Sequence, residues 1–177
     1  MMKALLIGYG NPGRLDDGLG PALAEAVEKL KLAGLAVESN YQLVVEDAAD
    51  FGEYDVVVFA DADVGGPEPF WVQRIEPGGE MSFSTHSVQP KQLLALARKL
   101  FEAEPAAYVL GIRGYEFNEF GERLSPRARE NLDAAVAYVV SSVRNGVFKE
   151  INPGGGDWAS EPPDLNSEEG QCKTENM

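Results

Sequence analysis

Three short segments of this 177-residue chain carry side chains that could bind a metal ion or transfer a proton. The first is a glycine-rich turn that contains Asp16-Asp17, and the second is Asp61, the first polar residue after an apolar run. The third is His86, the only histidine in the sequence. Asp17, Asp61 and His86 would form an incomplete site for a first-row transition metal, because no thiolate accompanies them. A site with only these three ligands is expected to bind a free ion weakly. It should bind more readily a metal that a partner protein already carries.

Each of these residues also has a simpler interpretation. Asp16 and Asp17 could cap the following helix, since acidic side chains are favoured at a helix N-terminus, although one aspartate would suffice. Asp61 could begin a turn, a role that aspartate often takes, and this segment alone does not distinguish the two roles. A lone histidine is more often incidental than a ligand, yet any function that requires an imidazole falls to His86 in this chain.

The glycine-rich turn also matches part of a nucleotide-binding pattern. Residues 8–13 fit the G-x-G-x-x-G sequence of dinucleotide-binding proteins. A bound pyrophosphate would lie at the N-terminus of the next helix, where the carboxylates of Asp16 and Asp17 would repel it. The sequence has no G-x-S-x-G motif, and its one cysteine, Cys172, lies near the C-terminus. Acyl transfer through a serine or cysteine nucleophile is therefore not expected.

Alternating strand and helix patterns predict an α/β fold that would position these segments. Apolar runs predict strands at residues 3–8, 37–45, 55–60 and 107–112, and a hairpin of residues 70–75 and 80–84. Apolar residues at helical spacing predict helices after Gly18, from Pro90 and from Pro126. Because residues 56–59 are all apolar, their strand is predicted to lie inside a sheet covered on both faces. Asp61 follows this strand, at the end where ligands bind in open α/β sheets.

The composition limits the classes of partner and compartment. The formal charge of −14 disfavours a nucleic-acid partner, because an acidic protein repels a phosphate backbone. No apolar run is long enough to cross a membrane, and the short apolar start ends at Gly8 without a cleavage signal. A single cysteine excludes an internal disulfide framework and favours the reducing cytoplasm. Residues 1–150 are predicted to form one α/β domain. Residues 151–177 are acidic and begin with a Pro- and Gly-rich stretch, and they are predicted to form a disordered tail.

The order and spacing of these segments resemble those of the hydrogenase maturation endopeptidases. The likeness lies in Gly8-x-Gly10-Asn11-x-x-x-x-Asp16-Asp17-Gly18-x-Gly20, followed by Asp61 after an apolar strand and His86 before a helix, and it covers residues 3–146. The resemblance implies a three-layer α/β/α sandwich around a twisted, mostly parallel sheet, of the phosphorylase/hydrolase-like kind. It also implies an aspartic-type endopeptidase that removes a C-terminal extension from a nickel-loaded hydrogenase large-subunit precursor and so activates that enzyme.

The same resemblance implies that Asp17, Asp61 and His86 contact the nickel, which the substrate supplies, and that no organic cofactor is needed. Asp16 and Asp63 are the alternatives to the two aspartates. The three residues would detect whether nickel has been inserted. The metal would polarise the scissile carbonyl or activate water, or a carboxylate would act as general base while the metal positions the substrate. The protein would be a cytoplasmic monomer that uses neither nucleic acid nor a membrane span.

Three other functions stay open at the level of sequence. Residues 8–13 also resemble the opening turn of peptidyl-tRNA hydrolases, but no histidine follows shortly after and the chain is acidic rather than basic. A non-catalytic nickel-precursor chaperone would use the same three ligands, so the residues alone do not separate it from a protease. A dinucleotide-dependent oxidoreductase would be excluded if a titration showed no binding of NAD(H).

Overall fold

The computed structural model describes residues 1–79 and 88–159, and these ranges contain five strands and three α-helices. The strands are β1 (Ala4–Tyr9), β2 (Leu35–Asn40), β3 (Val56–Asp63), β4 (Phe70–Ile75) and β5 (Ala106–Arg113). The helices are α1 (Leu19–Glu28), α2 (Pro90–Phe101) and α3 (Pro126–Asn145), and short 3-10 helices occupy Leu15–Gly18, Val45–Glu53 and Pro153–Gly155. In the described ranges, no helix has both the length and the apolar character needed to cross a membrane.

The strands form one sheet in the order β2-β1-β3-β5-β4. β1 pairs in parallel with β2 and β3, and β3 pairs in parallel with β5, whereas β4 runs antiparallel to β5 at the edge. The predicted, mostly parallel sheet is therefore confirmed. The strand predicted at residues 80–84 as the hairpin partner of β4 lies outside the described residues.

Helices cover both faces of the sheet, which confirms the predicted α/β/α sandwich. One core is formed by β-strand side chains such as Leu6 and Val58 with the apolar faces of α1 and α3. The other core contains Leu5 and Phe59 together with α2 and the 3-10 helix at 45–53. Because neighbouring residues of β1 and β3 belong to opposite cores, both strands are apolar without alternation, as expected for a sheet that is buried on both sides.

Glycine at position 20 allows α1 to lie close to the carboxyl ends of β1 and β3. A Cβ atom at Gly20 would lie 2.3 Å from the carbonyl oxygen of Tyr9 and 2.6 Å from that of Ala60. Any side chain at this position would push the helix away from the sheet. The start of α1 is thereby held against the strand ends that carry the candidate site.

The second strand differs from its predicted bounds. The sequence placed it at residues 37–45, whereas β2 covers Leu35–Asn40. Val44 and Val45 suggested a longer strand, but both are exposed, and the backbone N–H of Val44 donates to Asp47 Oδ2 at 2.9 Å. This side-chain bond begins the 3-10 helix, so a local turn replaces the end of the predicted strand.

The start of the predicted disordered tail, residues 151–159, is also different in the structure. Ile151 exchanges two backbone hydrogen bonds with Val72 of β4, at 2.8 and 2.9 Å, and Trp158 packs against the core that contains α2. Residues 151–159 therefore pack on the domain instead of forming part of a disordered segment. The glycines at 154–156 suggested disorder, but they form a turn within this packed segment. Residues 160–177 lie outside the described ranges.

Candidate functional site

Asp17 lies in the 3-10 helix that joins β1 to α1, and the glycine-rich turn folds back onto it. Its Oδ2 atom accepts a hydrogen bond from the backbone N–H of Asn11 at 3.0 Å. Gly10 has a φ of 139°, and a Cβ atom there would lie 2.2 Å from the carbonyl oxygen of Asp17. Only glycine combines this backbone angle with so close an approach, which explains its position in the motif. The turn thus places Asp17 at the end of β1.

Asp16 has a different environment from its neighbour and is fully buried. Its Oδ1 atom accepts from the Ser125 N–H at 2.8 Å, and its Oδ2 atom accepts from the N–H groups of Tyr115 at 2.8 Å and Glu116 at 3.0 Å. The Ser125 hydroxyl adds a fourth bond at 2.7 Å. Burial alone would raise the pKa of Asp16, but these hydrogen bonds lower it below its ordinary value. Asp16 therefore anchors the loop before α3, and its oxygens are occupied.

Asp61 ends the apolar part of β3 and lies beside Tyr9 and Asp17. The Tyr9 hydroxyl donates a hydrogen bond to the Asp61 side chain, and Asp61 Oδ1 accepts from the Ala62 N–H at 2.8 Å. Burial, followed by the negative charge of Asp17, raises the pKa of Asp61 to about 8. The carboxyl group of Asp61 is consequently mostly protonated at neutral pH in the metal-free protein.

Asp63, the alternative to Asp61, accepts hydrogen bonds within the loop that follows β3. Its Oδ1 atom accepts from the backbone N–H groups of Gly65 at 3.0 Å and Gly66 at 3.1 Å. Its Oδ2 atom accepts a hydrogen bond from the Trp71 indole N–H. These bonds shape the turn after β3 and leave Asp61 as the aspartate that faces the β1 loop.

The topology explains why Asp17 and Asp61 meet. β1 and β3 are adjacent and parallel. From β1 the chain continues to β2 on one side of this pair, whereas the strands that follow β3 lie on the other side. Such a reversal of strand order opens a crevice at the carboxyl ends of the strands. The loop after β1 supplies Asp17 to this crevice, and the end of β3 supplies Asp61. Two of the three residues selected from the sequence are therefore brought together.

The third residue, His86, lies outside the described residues. Among residues 1–79 and 88–159, no three histidine, cysteine, aspartate or glutamate side chains gather as a metal site would require. The described part of the chain thus contributes a pair of carboxylates, Asp17 and Asp61. Whether His86 completes this pair stays a prediction.

A cleft of about 490 Å³ opens next to Asp61 and contains side chains that the sequence did not indicate. Its walls include Tyr9, Trp71 and Trp158. Tyr9 could have been selected, because it is the last residue of β1 and lies between the first two glycines of the motif. Trp158 carried no such signal, since it follows the glycine-rich stretch that predicted a disordered tail.

The raised pKa of Asp61 predicts how the stability of the metal-free protein changes with pH. The Asp61 carboxyl group holds its proton more tightly in the folded state than in the unfolded state. Its protonated form therefore stabilises the fold fully below the unfolded pKa of about 4, and this contribution is lost as pH rises to about 8. Relative to Asp61→Asn, the free energy of unfolding of the wild type should fall by up to about 1.4 kcal/mol per pH unit between those values.

Urea denaturation of both proteins at several pH values measures this difference. Asparagine can still accept the bonds from Tyr9 and Ala62, so the variant serves as a reference that does not titrate. A difference between the two proteins that does not change from pH 4.5 to pH 7.5 would show that Asp61 titrates normally.

Comparison with known proteins finds similarity both in sequence and in fold. No model of a known protein family matches the chain. The hydrogenase expression/formation protein HupD of Thiocapsa roseopersicina is 28% identical over 148 residues, which cover 76% of this chain and 64% of that protein. This chain therefore spans less than two thirds of the relative's length.

Two solved structures have the same architecture. The hydrogenase maturating endopeptidase HybD from E. coli superposes with a TM-score of 0.63 at 20% identity, covering 85% of this chain and 97% of that one. The [NiFe] hydrogenase maturation protease HycI from Thermococcus kodakarensis gives a TM-score of 0.62 at 22% identity, covering 81% and 94% of the two chains. The chain therefore has the fold of these proteases and resembles them as its sequence motifs predicted.

Proposed function

We propose that this chain is a nickel-recognising endopeptidase that removes the C-terminal extension of a nickel–iron hydrogenase large-subunit precursor. The observation that carries the proposal is the carboxylate pair, Asp17 and Asp61, at the point where strand order reverses. The fold shared with solved hydrogenase maturation proteases, and the similarity to HupD, support the choice of substrate.

The electrostatics of the pair suit a cation that arrives with another molecule. The negative charge of Asp17 opposes ionisation of Asp61. A divalent ion between them would offset this repulsion and allow Asp61 to release its proton. Two carboxylates and the imidazole of His86 leave room for ligands from the substrate. Nickel held by the precursor would therefore bind to this site, whereas free nickel would bind to it only weakly. Cleavage would then depend on prior insertion of the metal into the precursor.

The same residues can serve the hydrolysis itself. An ionised Asp61 would accept a proton from the attacking water, as a general base of the aspartic type does. The substrate's nickel can alternatively supply electrophilic activation of the scissile carbonyl or of water. Asp17 and His86 would hold the ion in both cases. The product is the processed hydrogenase subunit, so the protein activates another enzyme, and we place this role in the cytoplasm with the protein acting as a monomer.

Co-expression with a nickel-loaded precursor tests the function directly. The precursor should shift to a smaller species on a denaturing gel, and the shift should be absent for His86→Ala because one of three proposed ligands is lost. Lys99→Ala, at an exposed position near the end of α2 and away from the cleft, is the control and should process normally. Circular dichroism of His86→Ala should match that of the wild type.

Two results would contradict the proposal in different ways. Normal processing by His86→Ala would remove the histidine from the site. Stable binding of the precursor by the wild type without any cleavage would favour the chaperone function, which uses the same residues.

A further inference from the structure

The segment after α3 returns to the sheet and is held against β4. Ile151 forms two backbone hydrogen bonds with Val72, and the Glu150 carboxylate accepts from the Arg74 N–H at 2.8 Å. Phe148, just before this pairing, is buried in the core. These contacts cover part of the exposed edge of β4 and direct the chain towards the carboxyl end of the sheet.

Hydrogen bonds at two points then position Trp158. Asn152 accepts from the Trp158 indole N–H at 2.9 Å through Oδ1 and donates to the Gly156 carbonyl at 2.9 Å through Nδ2. Gln73 of β4 accepts from the Trp158 backbone N–H at 3.0 Å and donates to Asp157 Oδ1 at 2.9 Å. Both the backbone and the ring of Trp158 are therefore fixed. A ring held in this way loses little conformational entropy when a ligand packs on it.

Trp158 lines the cleft that contains Asp61, and it does so together with Trp71. Trp71 lies over Gly111 of β5, since a Cβ atom at that glycine would come within 2.3 Å of the indole Cε2 atom. With the C-terminal segment in place, the cleft has a volume of about 490 Å³. That size is within the roughly 300–1,000 Å³ usual for ligand-binding clefts. Trp158 is thus a wall of the cleft and not a plug that fills it.

From this arrangement we infer that Trp158 and Trp71 form a subsite for an apolar side chain of the precursor, next to the bond that is cut. The inference rests on the proposed function, because it takes Asp61 to lie at the reacting bond. A peptide that reaches Asp61 through the cleft must pass the two indole rings, which offer large apolar surfaces. The carboxylate of Asp157 lines the same space and disfavours an acidic side chain there. Trp158 is therefore a specificity-determining residue that the C-terminal segment adds to the site.

Steady-state kinetics with the full-length protein and a nickel-loaded precursor test this assignment. Trp158→Ala should raise KM by about tenfold, as loss of an aromatic anchor does, with kcat within about twofold of the wild type. Trp158→Phe should recover most of the affinity, because it keeps an aromatic wall. Phe101→Ala removes a half-exposed aromatic side chain at the end of α2 and should leave KM unchanged.

Substitutions in the precursor identify the occupant of the subsite. Each apolar residue that flanks the cut is replaced by alanine in turn, and KM is measured with wild-type protein and with Trp158→Ala. At one position of the precursor, the effects on KM of the alanine substitution and of Trp158→Ala should be non-additive, because both substitutions remove the same contact. Strict additivity at all positions would overturn the assignment.

Other outcomes are equally decisive. An unchanged KM for Trp158→Ala would show that Trp158 does not contact substrate, and a higher turnover would show that the segment inhibits the enzyme. If the wild type cleaves no precursor, the proposed function fails by itself. In that case calorimetric titration of the precursor into wild type and Trp158→Ala still decides the subsite, and equal affinities would overturn it.

Discussion

Replacement of Asp17 by asparagine is expected to slow precursor cleavage by roughly 10²–10⁴-fold, the range usual for loss of a catalytic proton-transfer or ligand group. The asparagine oxygen can still accept the hydrogen bond from the Asn11 N–H, which Asp17 now accepts at 3.0 Å. The turn should therefore keep its shape, and the melting temperature should change little. What disappears is the negative charge that faces Asp61. Single-turnover cleavage of the nickel-loaded precursor measures the effect.

A second measurement ties this effect to the carboxylate pair. Because the charge of Asp17 raises the pKa of Asp61, the pKa of Asp61 should fall in Asp17→Asn, which carbon-detected NMR of the side-chain carboxyl groups can follow. Asp133→Asn, which removes an exposed carboxylate from α3, is the matched control for loss of one negative charge. Near wild-type cleavage by Asp17→Asn would show that the pair is not the reacting site.

The neighbouring substitution, Asp16→Asn, should instead destabilise the fold by about 3–5 kcal/mol, the cost of disrupting a buried charge and its hydrogen bonds. The Asp16 carboxylate is fully buried and accepts four hydrogen bonds. Asparagine offers one acceptor oxygen, and its amino group would face N–H donors. Urea denaturation at neutral pH measures the loss, and a change below about 1 kcal/mol would contradict this structural role.

Acid should reveal the same contribution in the wild type. The hydrogen bonds to Asp16 outweigh the effect of burial and lower its pKa in the folded state. The carboxylate therefore stabilises the fold fully above its unfolded pKa of about 4, and this contribution is lost as pH falls through the lower folded value. The difference in unfolding free energy between wild type and Asp16→Asn should accordingly shrink below about pH 4. A constant difference would assign the effect to packing.

Much of the architecture, and the positions of Asp17 and Asp61 at the strand ends, could be predicted from local sequence. The unbroken apolar run at 56–59 predicted a strand that is buried on both faces, and β3 is such a strand in the middle of the sheet. Its end placed Asp61 at the carboxyl edge, and the glycine-rich turn placed Asp17 after β1. These predictions succeed because apolar periodicity and glycine positions act over a few residues, where sequence spacing and spatial spacing agree.

Contacts between distant segments were decided only by the tertiary structure. Asp16 and Asp17 are adjacent and chemically identical, yet one bonds to Ser125 and the other faces Asp61. Their roles depend on which way the 3-10 turn points each side chain. Trp158 likewise becomes part of the cleft only because residues 151–158 hydrogen-bond to β4, against the disorder that their glycines predicted. Side-chain hydrogen bonds and burial between segments that are distant in the sequence determined these roles, and no local pattern encodes such long-range contacts.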